Sequence, residues 1–256
     1  MGRVLFVTGT DTGVGKTAVS AALLAAWHKL GRPVTPLKPL ETGCAPERPG
    51  EDAARLAAAA GTDPAGAALL RFAEPLCPEA AARATGQPPI DRAALLAACR
   101  AHTTSPTLIE GAGGLLVPIA PGYTMADLAG DLAADPGASV LVVARTRLGT
   151  LNHTLLTLRE CRRRGLRVLA VVLNRTDPTI GPEERDNAEL LRAHGEVEVL
   201  GPLPFLGAQP ATEALAAAAL RVLPAAWLHD LAFGSGAAPA ASSAPSSGPS
   251  SAPVSG

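Results

Sequence analysis

Short apolar runs alternate with longer segments of helical periodicity along most of the chain. Several runs are continuously apolar, as in SVLVVAR at 139–145, which is typical of strands covered on both faces in a parallel sheet. The predicted strands are residues 3–9, 34–39, 107–112, 139–145, 167–175 and 197–204. The predicted helices are residues 16–30, 51–60, 91–102, 124–133, 150–164, 183–194 and 209–222. This alternation predicts a doubly wound α/β fold, with a mainly parallel sheet, helices on both faces and the strand-end loops gathered at one edge.

The periodic pattern stops before the C-terminal end. Residues 234–256 contain no charged and no aromatic residue and consist almost wholly of Ala, Ser, Pro and Gly. Such a segment cannot bury enough apolar surface to offset the entropy lost on ordering. We therefore predict a single α/β domain over residues 1–233 and a disordered tail over 234–256.

Composition narrows the class of protein. Hydrophobic residues make up 47% of the chain and aromatic residues only 3%, so the core is expected to be packed mainly by Ala, Leu and Val. The net charge of −1 argues against a broad binding surface for nucleic acid or anionic membrane. Four widely spaced cysteines without a C-x-x-C pattern favour a reducing compartment over a disulfide framework or a zinc site. With no secretory pattern and no apolar run of about 20 residues, we expect a soluble cytoplasmic protein.

The stretch TGTDTGVGKTA, residues 8–18, follows the first predicted strand and opens the first helix. Glycines let backbone N–H groups converge on an anion, Lys16 would reach the β- and γ-phosphates, and the Thr17 hydroxyl would ligate Mg²⁺. Five residues rather than the usual four separate Gly9 from Gly15, which leaves open a glycine-rich turn with a chance GKT. The dinucleotide pattern G-x-G-x-x-G fits less well, because Ala18 stands where its third glycine would be. The strand and helix around the loop favour a nucleotide site.

Three further charged residues lie at predicted element ends. Glu110 ends the strand in TLIEGAGG, Asp52 opens a helix and Lys38 ends the second strand. Mg²⁺ prefers one or two carboxylates with phosphate oxygens and water, and Thr17, Asp52 and Glu110 would supply such a set. Each residue also has an ordinary interpretation: a solvated acid in a turn for Glu110, a helix N-cap or N-terminal charge for Asp52, and a surface lysine for Lys38.

Two more segments carry candidate binding groups. Backbone N–H groups at the start of the helix after 139–145 could hold a carboxylate, although capping by Thr150 or Asn152 would explain the same residues. Asn174, at the end of VVLN, has donors and an acceptor suited to a base edge, but Asn is also common in turns.

Taken together, the motifs resemble one family. GTDTGVGKT, KPLETG, FAEPLCP, EGAGGLLVPI, LGTLNHTLLT and VVLNR occur in the order found in dethiobiotin synthases, over roughly residues 3–207. That family's P-loop carries the same one-residue expansion. The resemblance implies a P-loop NTPase-like fold and an ATP- and Mg²⁺-dependent cyclo-ligase of biotin biosynthesis. Such an enzyme closes the ureido ring of dethiobiotin from 7,8-diaminononanoate and CO₂, through a carbamate and a carbamic-phosphoric mixed anhydride, and releases ADP and phosphate. It also implies a homodimer.

The resemblance assigns roles to matching positions. Lys38 and Lys16 match catalytic lysines. The metal ligands would be Thr17, Asp52 and Glu110. The nucleotide-binding positions would be Gly13, Val14, Gly15, Lys16, Thr17, Ala18, Asp52, Glu110, Gly111, Ala112, Gly113, Asn174, Arg175, Pro204, Phe205 and Leu206. The substrate-binding positions would be Thr42, Gly149, Thr150, Leu151 and Asn152.

The chain also departs from the family pattern. Cys77 and Glu79 stand where many members have Ser and His, and Gly13 replaces an acidic residue found in some relatives. GAQPATEA, after Phe205, lacks a clear match to the acidic residue that helps hold the ribose or base, so nucleotide preference stays open.

Three alternative functions also stay open. A switch ATPase of the ParA/MinD type would carry a lysine where Asp11 stands, and the synthetase half of a cobyrinate-type amidase would need a glutaminase. A nucleotide-binding scaffold without turnover is the third.

Overall fold

The computed structural model describes residues 3–44, 50–134, 137–224 and 227–229, so the predicted tail lies outside the described residues. The strands are β1 (Val4–Gly9), β2 (Thr35–Thr42), β3 (Ala68–Phe72), β4 (Thr107–Gly114), β5 (Pro118–Ala120), β6 (Tyr123–Thr124), β7 (Ser139–Arg145), β8 (Val168–Asn174) and β9 (Val199–Leu203). The helices are α1 (Lys16–Lys29), α2 (Glu51–Ala60), α3 (Pro78–Ala84), α4 (Arg92–Ala101), α5 (Met125–Ala133), α6 (Thr150–Arg163), α7 (Glu184–Gly195) and α8 (Thr212–Val222).

Seven strands form one parallel sheet in the order β3-β2-β4-β1-β7-β8-β9. From β1 the chain first builds one half of the sheet and then crosses to the other half, so β1 and β4 lie at the switch point. Ligands of open α/β sheets bind at the carboxyl ends of strands at such a point. The doubly wound α/β prediction is therefore confirmed, with helices on both faces.

The two faces of the sheet are separated by the period of two along each strand. In β1, Leu5 and Val7 pack with Trp27 of α1 in one buried cluster, which also draws on α2 and α8. Val4 and Phe6 point the other way and pack against the face covered by α3 to α7. Each fully buried Leu or Phe contributes about 1.5–3 kcal/mol. The P-loop between β1 and α1 is thus anchored at both ends in core.

Every strand and helix predicted from the sequence is present, with ends shifted by a few residues. β3, α3 and the antiparallel β5–β6 hairpin were missed, because each is too short to show a period. β2 continues beyond its predicted end, so Thr42, expected in a loop, is its last residue. Within the described ranges, no helix is long and apolar enough to cross a bilayer.

Candidate active site

Two adjoining pockets open at the carboxyl edge of the sheet. The P-loop pocket, with about 850 Å³ of open space, lies between the loop after β1, the end of β2 and the start of α2. The β8–β9 pocket, with about 670 Å³, lies beyond the P-loop towards the ends of β8 and β9. Both are lined by Gly13, Gly15, Ala18 and Arg55. A single extended ligand can therefore span the two.

The P-loop presents a helix N-terminus to the first pocket. Gly15 is the N-cap of α1, with φ of 91°, and no described side chain caps this helix. Its first-turn N–H groups are therefore available to an anion. Lys16 is only 7% exposed, and its Nζ donates to the Asp11 carbonyl at 3.3 Å. Burial lowers the pKa of Lys16 to about 8, although Glu110 opposes this effect, so an anion beside Lys16 would stabilise its charged form.

Replacing Gly15 with alanine is expected to weaken ATP binding by at least about tenfold. A Cβ at Gly15 would lie 2.0 Å from Asn174 Nδ2, and the positive φ adds strain, each costing on the order of 1–3 kcal/mol. Titration calorimetry with ATP measures the loss. Gly31→Ala is the matched control, since Gly31 has φ of +66° but nothing within 4 Å of its added Cβ. Equal affinities in the two variants would show that the fit between Gly15 and Asn174 does not matter for ATP.

A charged cluster lies at the inner wall of the P-loop pocket, with Lys38 and Glu110 buried and the Asp52 side chain 39% exposed. Thr17 Oγ1 lies 2.9 Å from Asp52 Oδ1 and 2.8 Å from Glu110 Oε1. Lys38 Nζ lies 2.9 Å from Asp52 Oδ2 and 2.7 Å from Glu110 Oε1. Four elements, α1, β2, α2 and β4, each supply one of these side chains. The structure thus brings together the residues that the sequence placed at separate strand and helix ends.

The cluster keeps its charges despite burial. Burial alone would lower the pKa of Lys38, but the attraction of Glu110 and Asp52 outweighs it and raises that pKa above the usual value. Burial would likewise raise the pKa of Asp52, but Lys38 and the Thr17 hydroxyl hold it below its usual range. Lys16, which lines the same pocket, supplies a second positive charge beside the two carboxylates.

The donor set fits Mg²⁺. The Thr17 hydroxyl has one hydrogen to offer to the two carboxylate oxygens beside it. Glu110 Oε2 is buried and lacks a hydrogen-bond partner among the described residues, which costs free energy unless a ligand binds there. Hard oxygen donors suit Mg²⁺, which takes its remaining ligands from phosphate and water. The described chain has no group of three or more His, Cys, Asp or Glu side chains placed to hold a metal alone.

Glu41 and Arg55 belong to the site but were missed by sequence reasoning. The Glu41 carboxylate accepts the backbone N–H of Asp52 at 2.8 Å and that of Ala53 at 3.3 Å. Gly50 is the N-cap of α2, so Asp52 is not the N-cap; it lies in the first turn, as the alternative of an N-terminal charge expects. Arg55 donates to the Ala208 carbonyl at 2.9 Å, across the β8–β9 pocket. No local sequence motif indicates that a side chain on a neighbouring strand caps a helix.

The β8–β9 pocket contains the residues expected on the base side. Its lining includes Asn174, Arg175, Pro204, Phe205 and Leu206. The Asn174 amide donates one hydrogen to the Val14 carbonyl at 3.1 Å, which leaves its oxygen and second hydrogen for a ligand.

Several predicted positions lie apart from the pockets. Among the described residues that line either pocket, none comes from 149–152. Gly149 is instead the N-cap of α6, without a side-chain cap, so the expected capping by Thr150 or Asn152 is absent there. Cys77 and Glu79 begin α3 and line neither pocket.

The fold and the pocket define a class of protein. A parallel sheet whose first strand passes through a GKT loop into a helix, with a carboxylate on the adjacent strand β4, is the arrangement of P-loop nucleotide-binding proteins. A family described as an AAA domain matches residues 3–210, and the chain belongs to it. A solved ParA family ATPase from Chlorobium tepidum is 12% identical, with a TM-score of 0.49 over 80% of this chain and 84% of its own.

Curated relatives specify the family further. The chain is 45% identical to the ATP-dependent dethiobiotin synthetase BioD of Anaeromyxobacter dehalogenans strain 2CP-C, over 79% of this chain and 90% of the relative. It is 41% identical to the protein of that name from Rhodococcus jostii, over 88% of this chain and 96% of the relative. The chain belongs to the ATP-dependent dethiobiotin synthetase family, which confirms the resemblance and the prediction of an ATP-dependent ligase.

Proposed function

We propose that the protein closes the ureido ring of dethiobiotin from 7,8-diaminononanoate and CO₂, with conversion of ATP to ADP and phosphate. The observation that carries the proposal is the cluster of Lys38, Asp52 and Glu110 beside the P-loop. It supports phosphoryl transfer to a small acid, because it offers fixed positive charge and cation ligands without a covalent nucleophile. The names of the curated relatives support the same reaction.

The nucleotide spans both pockets in this proposal. Gly13 to Ala18 and the N-terminus of α1 hold the phosphates, and Gly111 to Gly113 border them. Asn174, Arg175 and Pro204 to Leu206 hold the base side. Thr17, Asp52 and Glu110 would hold Mg²⁺, which would supply positive charge to neutralise the phosphates.

The reaction requires three bond-forming steps. One amine of the diamine attacks CO₂ and loses a proton, which gives a carbamate. A carbamate oxygen attacks the γ-phosphorus and ADP leaves, which gives the mixed anhydride. The second amine attacks the carbonyl carbon and loses a proton, phosphate leaves and the ring closes. Lys38 and Lys16 stabilise the negative charge on the carbamate and on the transferred phosphoryl group, and Thr42, which also lines the P-loop pocket, contacts the substrate.

We also propose a homodimer. Leu148, Leu156 and Leu116 are 85%, 55% and 54% exposed, and the latter two line a further cleft between the loop after β4 and α6. Exposed side chains of this size favour burial against a second copy. The uncapped start of α6, Gly149 to Asn152, would then offer backbone N–H groups to the carboxylate of the substrate near the interface. The cytoplasm is the expected compartment.

A single assay tests the reaction. Purified protein with diaminononanoate, bicarbonate, Mg²⁺ and ATP is expected to form dethiobiotin and ADP in equal amounts, measured by mass spectrometry and a coupled ADP assay. Omission of the diamine should remove most ATP turnover. ATP hydrolysis at the same rate with and without the diamine would instead support a switch ATPase. ATP binding without hydrolysis would support a nucleotide-binding scaffold. Light scattering of the same sample tests the dimer.

A further inference from the structure

The start of α2 is held by a side chain from another element. Glu41, near the end of β2, is only 5% exposed, and its two carboxylate oxygens accept the first-turn N–H groups of Asp52 and Ala53. The N-cap residue of α2, Gly50, has no side chain with which to do this. A strand carboxylate therefore performs the capping that a Ser, Thr, Asp or Asn at the N-cap would ordinarily provide.

Gly50 and Glu41 are complementary in shape. Gly50 has φ of −64° and ψ of 160°, which any residue adopts, so backbone conformation does not require glycine there. A Cβ at Gly50 would instead displace the Glu41 carboxylate, because it would lie 2.0 Å from Glu41 Cδ and 2.1 and 2.2 Å from its two oxygens. The carboxylate occupies the volume that an N-cap side chain would take.

This arrangement ties Asp52 to Lys38. β2 carries both Lys38 and Glu41. The hydrogen bond that the Asp52 N–H donates to Glu41 therefore joins α2, which carries Asp52, to the strand that carries Lys38. The same helix is fixed one turn later by the bond from Arg55 to Ala208. An ordinary N-cap at position 50 would satisfy the same N–H groups without joining α2 to β2.

We propose that Glu41 is a positioning residue that acts through Asp52. By fixing α2 on β2, it holds the Asp52 carboxylate where a divalent cation bound with the nucleotide meets Thr17 and Glu110. The proposal rests on the proposed function only in its use of a metal-nucleotide ligand, and it concerns binding rather than the ring closure.

The test compares nucleotide affinity with and without the metal. The probe is the non-hydrolysable ATP analogue adenylyl imidodiphosphate, titrated by calorimetry in Mg²⁺ and in EDTA. In Glu41→Ala, the increase in affinity that Mg²⁺ produces is expected to be about tenfold smaller than in the natural chain. The affinity measured in EDTA should be unchanged. Glu41→Gln should recover much of the loss, because its amide oxygen still accepts the Asp52 N–H.

Asp91→Ala is the matched control. Asp91 also caps a helix by accepting two backbone N–H groups, from Ala93 and Ala94 at the start of α4, but it is exposed and lines neither pocket. Both alanine variants are expected to lower the melting temperature by about 2–4 °C. Only Glu41→Ala should change the Mg²⁺ dependence. An unchanged Mg²⁺ dependence in Glu41→Ala would overturn the proposal, whatever its melting temperature.

A reciprocal pair of variants keeps the proposal testable if one variant folds poorly. Gly50→Ala should weaken Mg²⁺-dependent binding in the natural chain, where its Cβ meets Glu41, and should add little in the Glu41→Ala background, where the space is free. Equal effects in the two backgrounds would contradict the proposal. Failure of the natural chain to form dethiobiotin would remove the proposed function and leave this binding test intact.

Discussion

Lys38→Met is expected to reduce ring closure by at least about 10²–10³-fold, the usual cost of removing one group that stabilises transition-state charge. Lys38 is 3% exposed and forms ion pairs with both Asp52 and Glu110, and no other described cationic side chain forms both of these ion pairs. Methionine keeps the length and loses the ammonium. Steady-state rates of dethiobiotin formation measure the effect, with ATP affinity measured separately by calorimetry.

The same substitution should also destabilise the fold. It leaves Glu110, which is 0% exposed, without its ion partner, and breaking such a pair costs about 3–5 kcal/mol. Mg²⁺ and nucleotide should restore part of that stability, because a bound cation takes the place of the lost ammonium. Lys29→Met, on the exposed end of α1, is the control and should match the natural chain in rate and melting temperature. A Lys38→Met rate within a few-fold of natural would remove Lys38 from the proposed chemistry.

The use of basic residues supports the assignment of Lys38 and Lys16. The chain has three lysines, Lys16, Lys29 and Lys38, among 22 basic residues, and two of the three are buried at the P-loop pocket. Arginines carry the ion pairs elsewhere, as in the bidentate contacts of Arg147 with Asp177. The Lys38 ammonium is a compact point charge that contacts one oxygen of each of two carboxylates, and a larger planar guanidinium cannot take the same position. The Lys38→Arg variant should therefore not retain the natural rate of dethiobiotin formation.

The charged cluster was predictable from the sequence for a topological reason. Lys38, Asp52 and Glu110 each lie near the carboxyl end of a predicted parallel strand or at the start of the helix that follows it. Parallel strands with right-handed crossovers place all such points at one edge, so separate local signals converge without knowledge of strand order. The pattern of apolar runs was sufficient to identify this edge because the strands are buried on both faces.

The remaining features depend on tertiary distances that no periodicity encodes. The Glu41 cap joins residues eleven positions apart through the pairing of a strand with a helix, and KPLETG gives no sign of it. β3 is five residues long and only Phe72 of it is buried, so its apolar signal is weak. Gly149 to Asn152 line neither pocket. Their proposed role in substrate binding therefore depends on the proposed dimer, and the pattern of one sequence does not describe contacts between two copies.

Glu110→Gln is expected to raise the Mg²⁺ concentration needed for half-maximal rate by at least about tenfold and to reduce the rate by about 10²–10³-fold. The amide oxygen will take the place of Oε1, where Thr17 and Lys38 donate hydrogen bonds. The amide NH₂ then occupies the place of Oε2, which is buried, has no partner among the described residues and is the oxygen that we propose for the cation. A donor at that point repels Mg²⁺ and stays unsatisfied, which costs about 1–3 kcal/mol.

Thermal unfolding with and without Mg²⁺ and nucleotide separates the two effects of Glu110→Gln. Without ligand, the melting temperature should fall by a few degrees, as expected for one buried unsatisfied donor. With ligand, the rise seen for the natural chain should largely disappear, because the variant binds the cation poorly. Glu189→Gln makes the same chemical change on the exposed face of α7 and should preserve that rise. If Glu110→Gln kept the ligand-induced rise and the natural Mg²⁺ dependence, Glu110 would be a structural partner of Lys38 and the metal assignment would pass to Thr17 and Asp52 alone.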